Sequence, residues 1–467
     1  MKLRSARRTT TGAATTTEPA RFLSEAQMSA RPTPATNPSV APAPTRLLLR
    51  GGTVVDTDPH VSARPDTDVL IEHGVIVAVG PALPAAGAEV LDARDRIVLP
   101  GFVDTHRHVW QSVLRAVAVD SDLGDYLGRV LGRLSPAMRP EDVYAGNLVG
   151  ALECLDAGIT TVQDFSHVQH RAEHGDAAVH GLRAAGIRAV FGYGHPPFDP
   201  AARDARVLRD LRERLFPGDD DLVTLALAPG GPSYTPIDLV EQDWRLAADL
   251  DIPLAVHVGS GPVAHRPIEA LRDRGLLNAR TLFIHGNSLP DDELAMIADS
   301  GGTLSIAPHI EAQMGHGAPM INRARAAGLV TGLGVDVVTS GPGDMFSLLR
   351  AALLTSQLAD GPRLFAADML CMATIGGAAA LGLADRIGSL AVGKQADLIL
   401  LRADAVNLVG AVHDIAGAVV ASAHAGNVDT VLVAGRPVKR AGRLTHPHLA
   451  GAIADARKSA EHLADTP

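Results

Sequence analysis

Pro100-Gly101-Phe102-Val103-Asp104-Thr105-His106-Arg107-His108 is the stretch on which the fold turns: an apolar run stops there and two histidines follow at i and i+2. Residues two apart on an extended strand point to the same face, so His106 and His108 can grip one ion from one side. An ion such as zinc needs at least one more protein ligand, so the rest of the chain has to supply it.

From about 100 to 387 the sequence alternates strand-like and helix-like runs. Strand patterns fall at 160–165, 187–193, 222–228, 253–258, 281–285, 303–307 and 330–336, with amphipathic runs such as 239–250, 268–277, 291–299 and 320–327 between them. With the opening strand these make eight, most separated by roughly 25 to 35 residues, the spacing of a (β/α)₈ barrel. A doubly wound open sheet is the alternative, but no Gly-rich dinucleotide turn follows the first strand. Residues 45–99 read as short strands broken at Gly51-Gly52, Asp58-Pro59 and His73-Gly74. That is too few strands for independent stability, and the strand-like segments 396–401 and 428–435 are the available partners. The expected fold class is α/β: a TIM-like (β/α)₈ barrel over 100–387 with a small composite β-sandwich domain formed by both chain ends, 45–99 plus 388–445. Residues 1–44, rich in Thr, Ala, Pro and Ser, read as a disordered extension in which Met28 is an alternative start, and 446–467 as a helical tail.

In such barrels the chemistry sits at the C-terminal ends of the strands. His106 and His108 end the first strand, His257 and His285 end two later ones, and Asp336 ends the last. Lysine occurs only at 2, 394, 439 and 458, so a two-metal site bridged by a carboxylated barrel lysine is excluded. One divalent ion held by His106, His108, His257 and Asp336 is the consistent reading, zinc first and Fe²⁺ as the alternative. An open position would hold a water whose pKa the ion lowers towards about 7.

Composition narrows the partners. Among 467 residues, 46% are hydrophobic and only 3% aromatic, and the formal charge is −10, with no basic stripe to engage nucleic acid or an acidic membrane. The two cysteines, Cys154 and Cys371, exclude a disulfide framework or a Cys-rich zinc site. No apolar run approaches the roughly 20 residues of a membrane helix, and Arg7-Arg8 has no apolar segment behind it. A cytoplasmic enzyme acting on a small molecule is expected.

At this level of detail the chain resembles the amidohydrolase superfamily, in particular the branch of cytosine and guanine deaminases and triazine chlorohydrolases. The resemblance rests on Pro100–His108 with Gln111-Ser112-Val113-Leu114-Arg115, on Gly158-Ile159-Thr160-Thr161-Val162, on His257 and His285, and on Gly334-Val335-Asp336. It continues through Met372–Gly382, Gly388-Ser389-Leu390 and Gly393-Lys394-Gln395-Ala396-Asp397, spanning about 47 to 440. It implies hydrolysis of a C–N or related bond of a small cyclic or heteroaromatic compound by a metal-activated water. It also implies that Asp336 accepts the water proton, that His285 stabilises charge on the attacked group, that Gln111 lies near the substrate, and that the chain forms a homodimer or higher homo-oligomer.

One departure stands out. Deaminases of this branch carry a proton-shuttling glutamate three residues after the fifth-strand histidine; here that position is Ser260. A serine hydroxyl has no accessible pKa for general acid/base work without an activating partner. Turnover of cytosine or guanine is therefore expected to be absent or slow. Glu311 or His309, on the rim after the seventh strand, offers a replacement, and Trp110 offers a flat wall for a ring. The alternative is a lyase, dehydratase or cyclase step on the same metal site, in which no water is consumed.

Overall fold

Eight parallel strands pair in chain order and close on themselves: Phe102–Arg107, Ile159–Ser166, Arg188–Tyr193, Val223–Leu227, Leu254–Val258, Thr281–His285, Thr303–Ile306 and Thr331–Leu333. This computed structural model describes residues 44–199, 203–218, 221–261 and 263–466. The extension expected over 1–44 lies, apart from Pro44, outside the described residues. Every residue of the first two barrel strands is buried, as expected of strands covered on both faces. The strand expected over 330–336 is shorter, because the chain leaves extended geometry and reaches Asp336 at φ +66°.

Both chain ends build the second sheet. Its order runs Arg443–Leu444, Arg436–Arg440, Val428–Val433, Leu398–Arg402, Arg96–Pro100, Arg46–Asp56, Ser62–Glu72, Val75–Gly80, with Glu89–Asp92 paired to the strand at 46–56. The expected sandwich is thus hydrogen-bonded as one continuous nine-stranded sheet. Alternation along its strands sorts the two faces. Leu398, Leu400, Val98 and Leu432 join Leu47, Leu49 and Ile71 in the sheet's own core, whereas Ile399, Leu401, Ile97, Val431 and Val433 face the main barrel core. At this junction Arg188, on the third barrel strand, donates Nε–H to Asp397 Oδ2 at 2.7 Å and Nη2–H to Oδ1 at 3.0 Å. The expected C-terminal helix spans Leu449–Ala464.

Between the first and second barrel strands lies an insertion not expected from the sequence, helical over Leu123–Tyr126, Leu127–Leu134 and Ser135–Ala137. Its apolar positions Tyr126, Val130, Leu131 and Leu134 recur at helical spacing, but Gly128 and Gly132 dilute the pattern. The helix Pro140–Asp156 follows and packs on the 3₁₀ turn Val109–Leu114, which directly follows the histidine pair. Glycine permits that approach: a Cβ at Gly146 would lie 2.3 Å from the Trp110 carbonyl oxygen. Because the obstacle is backbone, Gly146→Ala is expected to cost about 1–3 kcal/mol of stability. Thermal unfolding checks this, and an unchanged midpoint would contradict such a close approach.

Candidate metal centre

Strand periodicity and barrel closure together build the site. Asp104, His106 and His108 alternate along the first strand and its exit, all fully or almost fully buried. Across the closure, Asp336 N–H donates to the His106 carbonyl and His108 N–H to the Asp336 carbonyl, both at 2.8 Å. Asp104 accepts from Val335 N–H at 3.0 Å, so its carboxylate also ties the first strand to the segment carrying Asp336. Burial pushes the Asp104 carboxyl up to about 7, against the pull of Arg107. Asp164, on the second strand and likewise raised to about 7 by burial, accepts from Val109 N–H at 3.1 Å and from Asn147 Nδ2 at 2.6 Å. Both carboxylates are engaged by backbone, which positions the histidine pair from two sides.

Donor atoms converge in front of them in two trios that share His106, His106 with His108 and His257 and His106 with His285 and Asp336, each with its donor atoms within 4.8 Å of one another. Nε2 of His257 lies 3.3 Å from Nε2 of His106, and Asp336 Oδ1 lies 3.3 Å from His106 Nε2 and 3.4 Å from His108 Nε2. Tetrahedral ligands at about 2.0–2.1 Å from zinc are roughly 3.3–3.4 Å from one another. Tautomers agree with that fit: His108 Nδ1–H donates to the Phe165 carbonyl at 2.8 Å, which leaves Nε2 a lone pair for the centre. Burial, together with the neighbouring imidazoles, holds His108 and His257 well below the ordinary histidine range, so both are neutral donors. Burial alone would raise Asp336, but its hydrogen bond with His106 keeps it well below the carboxylate range. Three neutral imidazoles and one carboxylate are the donor set a divalent cation requires.

His285 stands beside this set, its Nε2 3.6 Å from Asp336 Oδ2. His285 and Asp336 both adopt left-handed backbone, φ +73° and +66°, a conformation that costs non-glycine residues roughly 1–3 kcal/mol and persists where the surroundings enforce it. Behind His285 lies Glu311. Fully buried, its Oε1 accepts from His285 Nδ1–H at 3.1 Å and from Ala307 N–H at 2.8 Å, and its Oε2 from Asn287 Nδ2 at 3.1 Å. The expected acid/base group of the rim is therefore committed to orienting His285. Burial lowers His285, yet the Glu311 hydrogen bond and the Asp336 charge outweigh that and raise it.

The remaining sequence candidates fall as follows. Gln111 is fully buried and donates Nε2–H to the Tyr126 hydroxyl at 2.7 Å, a partner supplied by the helical insertion. Trp110 is fully buried under the helix Pro140–Asp156, with its ring centroid 5.6 Å from that of His167. Ser260 is buried, its backbone N–H and carbonyl both engaged by the Tyr234 hydroxyl at 3.1 Å. His309 packs on Gly341, on the loop after Asp336. Sequence reasoning missed Tyr126 and Asn287, which carry no motif, and Asp104, which the i, i+2, i+4 alternation with His106 and His108 signals.

The amidohydrolase family model matches residues 97–438. The chain is 30% identical over 420 residues to a 5-methylthioadenosine/S-adenosylhomocysteine deaminase of Symbiobacterium thermophilum, covering 84% of this chain and 93% of that one. A 5′-deoxyadenosine deaminase of Methanobrevibacter smithii is 28% identical over 412 residues, covering 85% and 93%. Among solved structures, an adenosine deaminase from Xanthomonas campestris with bound zinc superposes with a TM-score of 0.80 at 28% identity, covering 91% of this chain and all of that one. The zinc-bound atrazine chlorohydrolase of Arthrobacter aurescens gives 0.78 at 26%, covering 89% and 100%.

Binding of an ion that the unfolded chain does not hold stabilises the fold, by about 4 kcal/mol at a thousand times Kd. Stoichiometric zinc added to chelator-treated protein is therefore expected to raise the thermal midpoint, and His257→Ala to remove that rise. A variant that still gains the full shift would place the ion elsewhere.

Proposed function

The chain belongs to the amidohydrolase family and hydrolyses carbon–nitrogen bonds other than peptide bonds; from that premise we propose that it removes an amino group from a nitrogen heterocycle, with 6-aminopurine nucleosides the first class to test. The observation that carries this reading is the position of Asp336, one oxygen on the donor set and the other towards His285. Zinc is the proposed ion, which His106, His108, His257 and Asp336 would hold and which would there lower the pKa of a water towards about 7. The chain's own residues do the rest. Asp336, its carboxyl held ionised, accepts the proton of the attacking water and returns it to the departing amine. His285, raised towards the protonated state and fixed by Glu311, donates a hydrogen bond where negative charge develops. Gln111, held by the Tyr126 hydroxyl, is proposed to bind the ring edge. Burial around these groups excludes bulk water and strengthens each interaction.

The purine nucleosides come from the relatives, whose named substrates are adenosine derivatives. Ammonia release from a panel of adenosine, 5′-deoxyadenosine, 5′-methylthioadenosine and S-adenosylhomocysteine tests the class, and oxygen-18 water must label the product if the step is hydrolytic. Asp336→Asn, which keeps the left-handed backbone accessible, is expected to lower kcat by about 10³-fold or more with an unchanged circular dichroism spectrum. Product without label would instead support a lyase step, and undiminished turnover by Asp336→Asn would remove the proposed base.

A further inference from the structure

Position 260, where the family resemblance implies a glutamate, holds a serine, and Glu311 is occupied behind His285. A different polar group lies on the segment bonded to the fifth-strand loop. His316, in the segment after the short helix Pro308–Gln313, is only 5% exposed, and neither ring nitrogen has a protein hydrogen-bond partner. Its ring sits edge-on to His285, centroids 4.7 Å apart at 90°. Its backbone is tied to the fifth-strand loop: Gly261 N–H, the residue after Ser260, donates to the His316 carbonyl at 3.1 Å.

The mounting is rigid. His316 N–H donates to the Glu311 carbonyl at 3.0 Å, and Asn287 Nδ2 bridges Glu311 Oε2 and the Ala318 carbonyl, both at 3.1 Å. Gly315 at φ +73° and Gly317 at φ +130° let the chain turn on either side of it. Leaving a buried polar group without a partner costs about 1–3 kcal/mol. Here both nitrogens of an otherwise fixed ring are left so, next to the group that faces the reacting centre. Burial pulls the imidazole down to about 3, helped by the charge of His285, so it is a neutral ring with one N–H to donate.

Resting on the C–N hydrolysis reading above, we propose that His316 is a catalytic residue that donates a hydrogen bond to the ring nitrogen adjacent to the attacked carbon, in place of a carboxyl group at position 260. As the water oxygen bonds to that carbon, the C=N electron pair moves onto the ring nitrogen, where the His316 N–H stabilises it. The water's proton passes to Asp336. Collapse re-forms the C=N bond, the C–N bond to the amino group breaks, and the amine leaves as ammonia with the proton from Asp336. The substrate class this selects is a heterocycle with a ring nitrogen that accepts a hydrogen bond beside an amino-bearing carbon.

The test uses zinc-loaded full-length protein and the nucleoside panel above. His316→Ala is expected to lower kcat about a hundredfold with KM within about threefold, at unchanged zinc content and thermal midpoint. His316→Gln, which retains an N–H donor, recovers part of that loss. Ser260→Glu in the His316→Ala background recovers at least about tenfold, a rescue that a merely structural role cannot give. Wild-type turnover that survives His316→Ala, or a double variant no better than His316→Ala alone, overturns this inference and leaves the C–N reading standing. A wild-type chain silent on the whole panel overturns both.

Discussion

The site depends on one seam, the closure of the barrel between its first and last strands. Two backbone hydrogen bonds there, from Asp336 N–H to the His106 carbonyl and from His108 N–H to the Asp336 carbonyl, join segments about 230 residues apart. The bonds fix more than topology. They set the register in which Asp336 Oδ1 meets the imidazoles of both histidines, and they hold Asp336 in left-handed backbone. Asp104 supports the same seam by bonding Val335, so the residue two before His106 braces the residue before Asp336. A barrel that failed to close there would retain its helices and most of its strands and lose the donor set.

Around that seam the buried polar groups are connected in layers. Asp164 holds the backbone just after His108, the Phe165 carbonyl fixes the His108 tautomer, and Glu311 fixes His285. Arg107, between the two histidines in sequence, is fully buried and donates to Glu153 Oε2 at 2.5 Å and to the Gly343 carbonyl at 2.9 Å. Breaking a buried charge pair strands the surviving charge, at a cost of about 3–5 kcal/mol. These groups therefore belong to the positioning of the site as much as to the stability of the fold.

The two sides of the pocket differ in kind. The metal side is over-determined, each donor oriented by a second hydrogen bond or by barrel geometry. The opposite side, between the loop at Gly259–Gly261 and the segment at 314–318, keeps a serine in place of an acid and an imidazole without a protein partner. On the function proposed above, substrate chemistry is decided on that side, since a metal-bound water would not by itself choose what it attacks.

Much of this was legible in the sequence, because strand periodicity is local. The i, i+2 placement of His106 and His108, the histidines closing the strands at 254–258 and 281–285, and the helical spacing between strands all follow from patterns within a few residues. The shortage of strands in 45–99 likewise pointed to partners from the strand-like segments near the other chain end. Less was legible in the insertion at 123–137, where glycines interrupt the periodicity, and in the eighth strand, whose end is set by closure rather than by propensity. Orientation lay beyond the sequence altogether. Glu311 is one residue on a short helix, and only packing decides that its carboxylate reaches His285, Ala307 and Asn287. His316 is one histidine among glycines, and only the approach of the fifth-strand loop buries it against His285. Residue chemistry and local period determined which groups could serve and in what order around the barrel; the tertiary structure decided which of them meet, because hydrogen-bond partners far apart in the chain are chosen by how the loops pack.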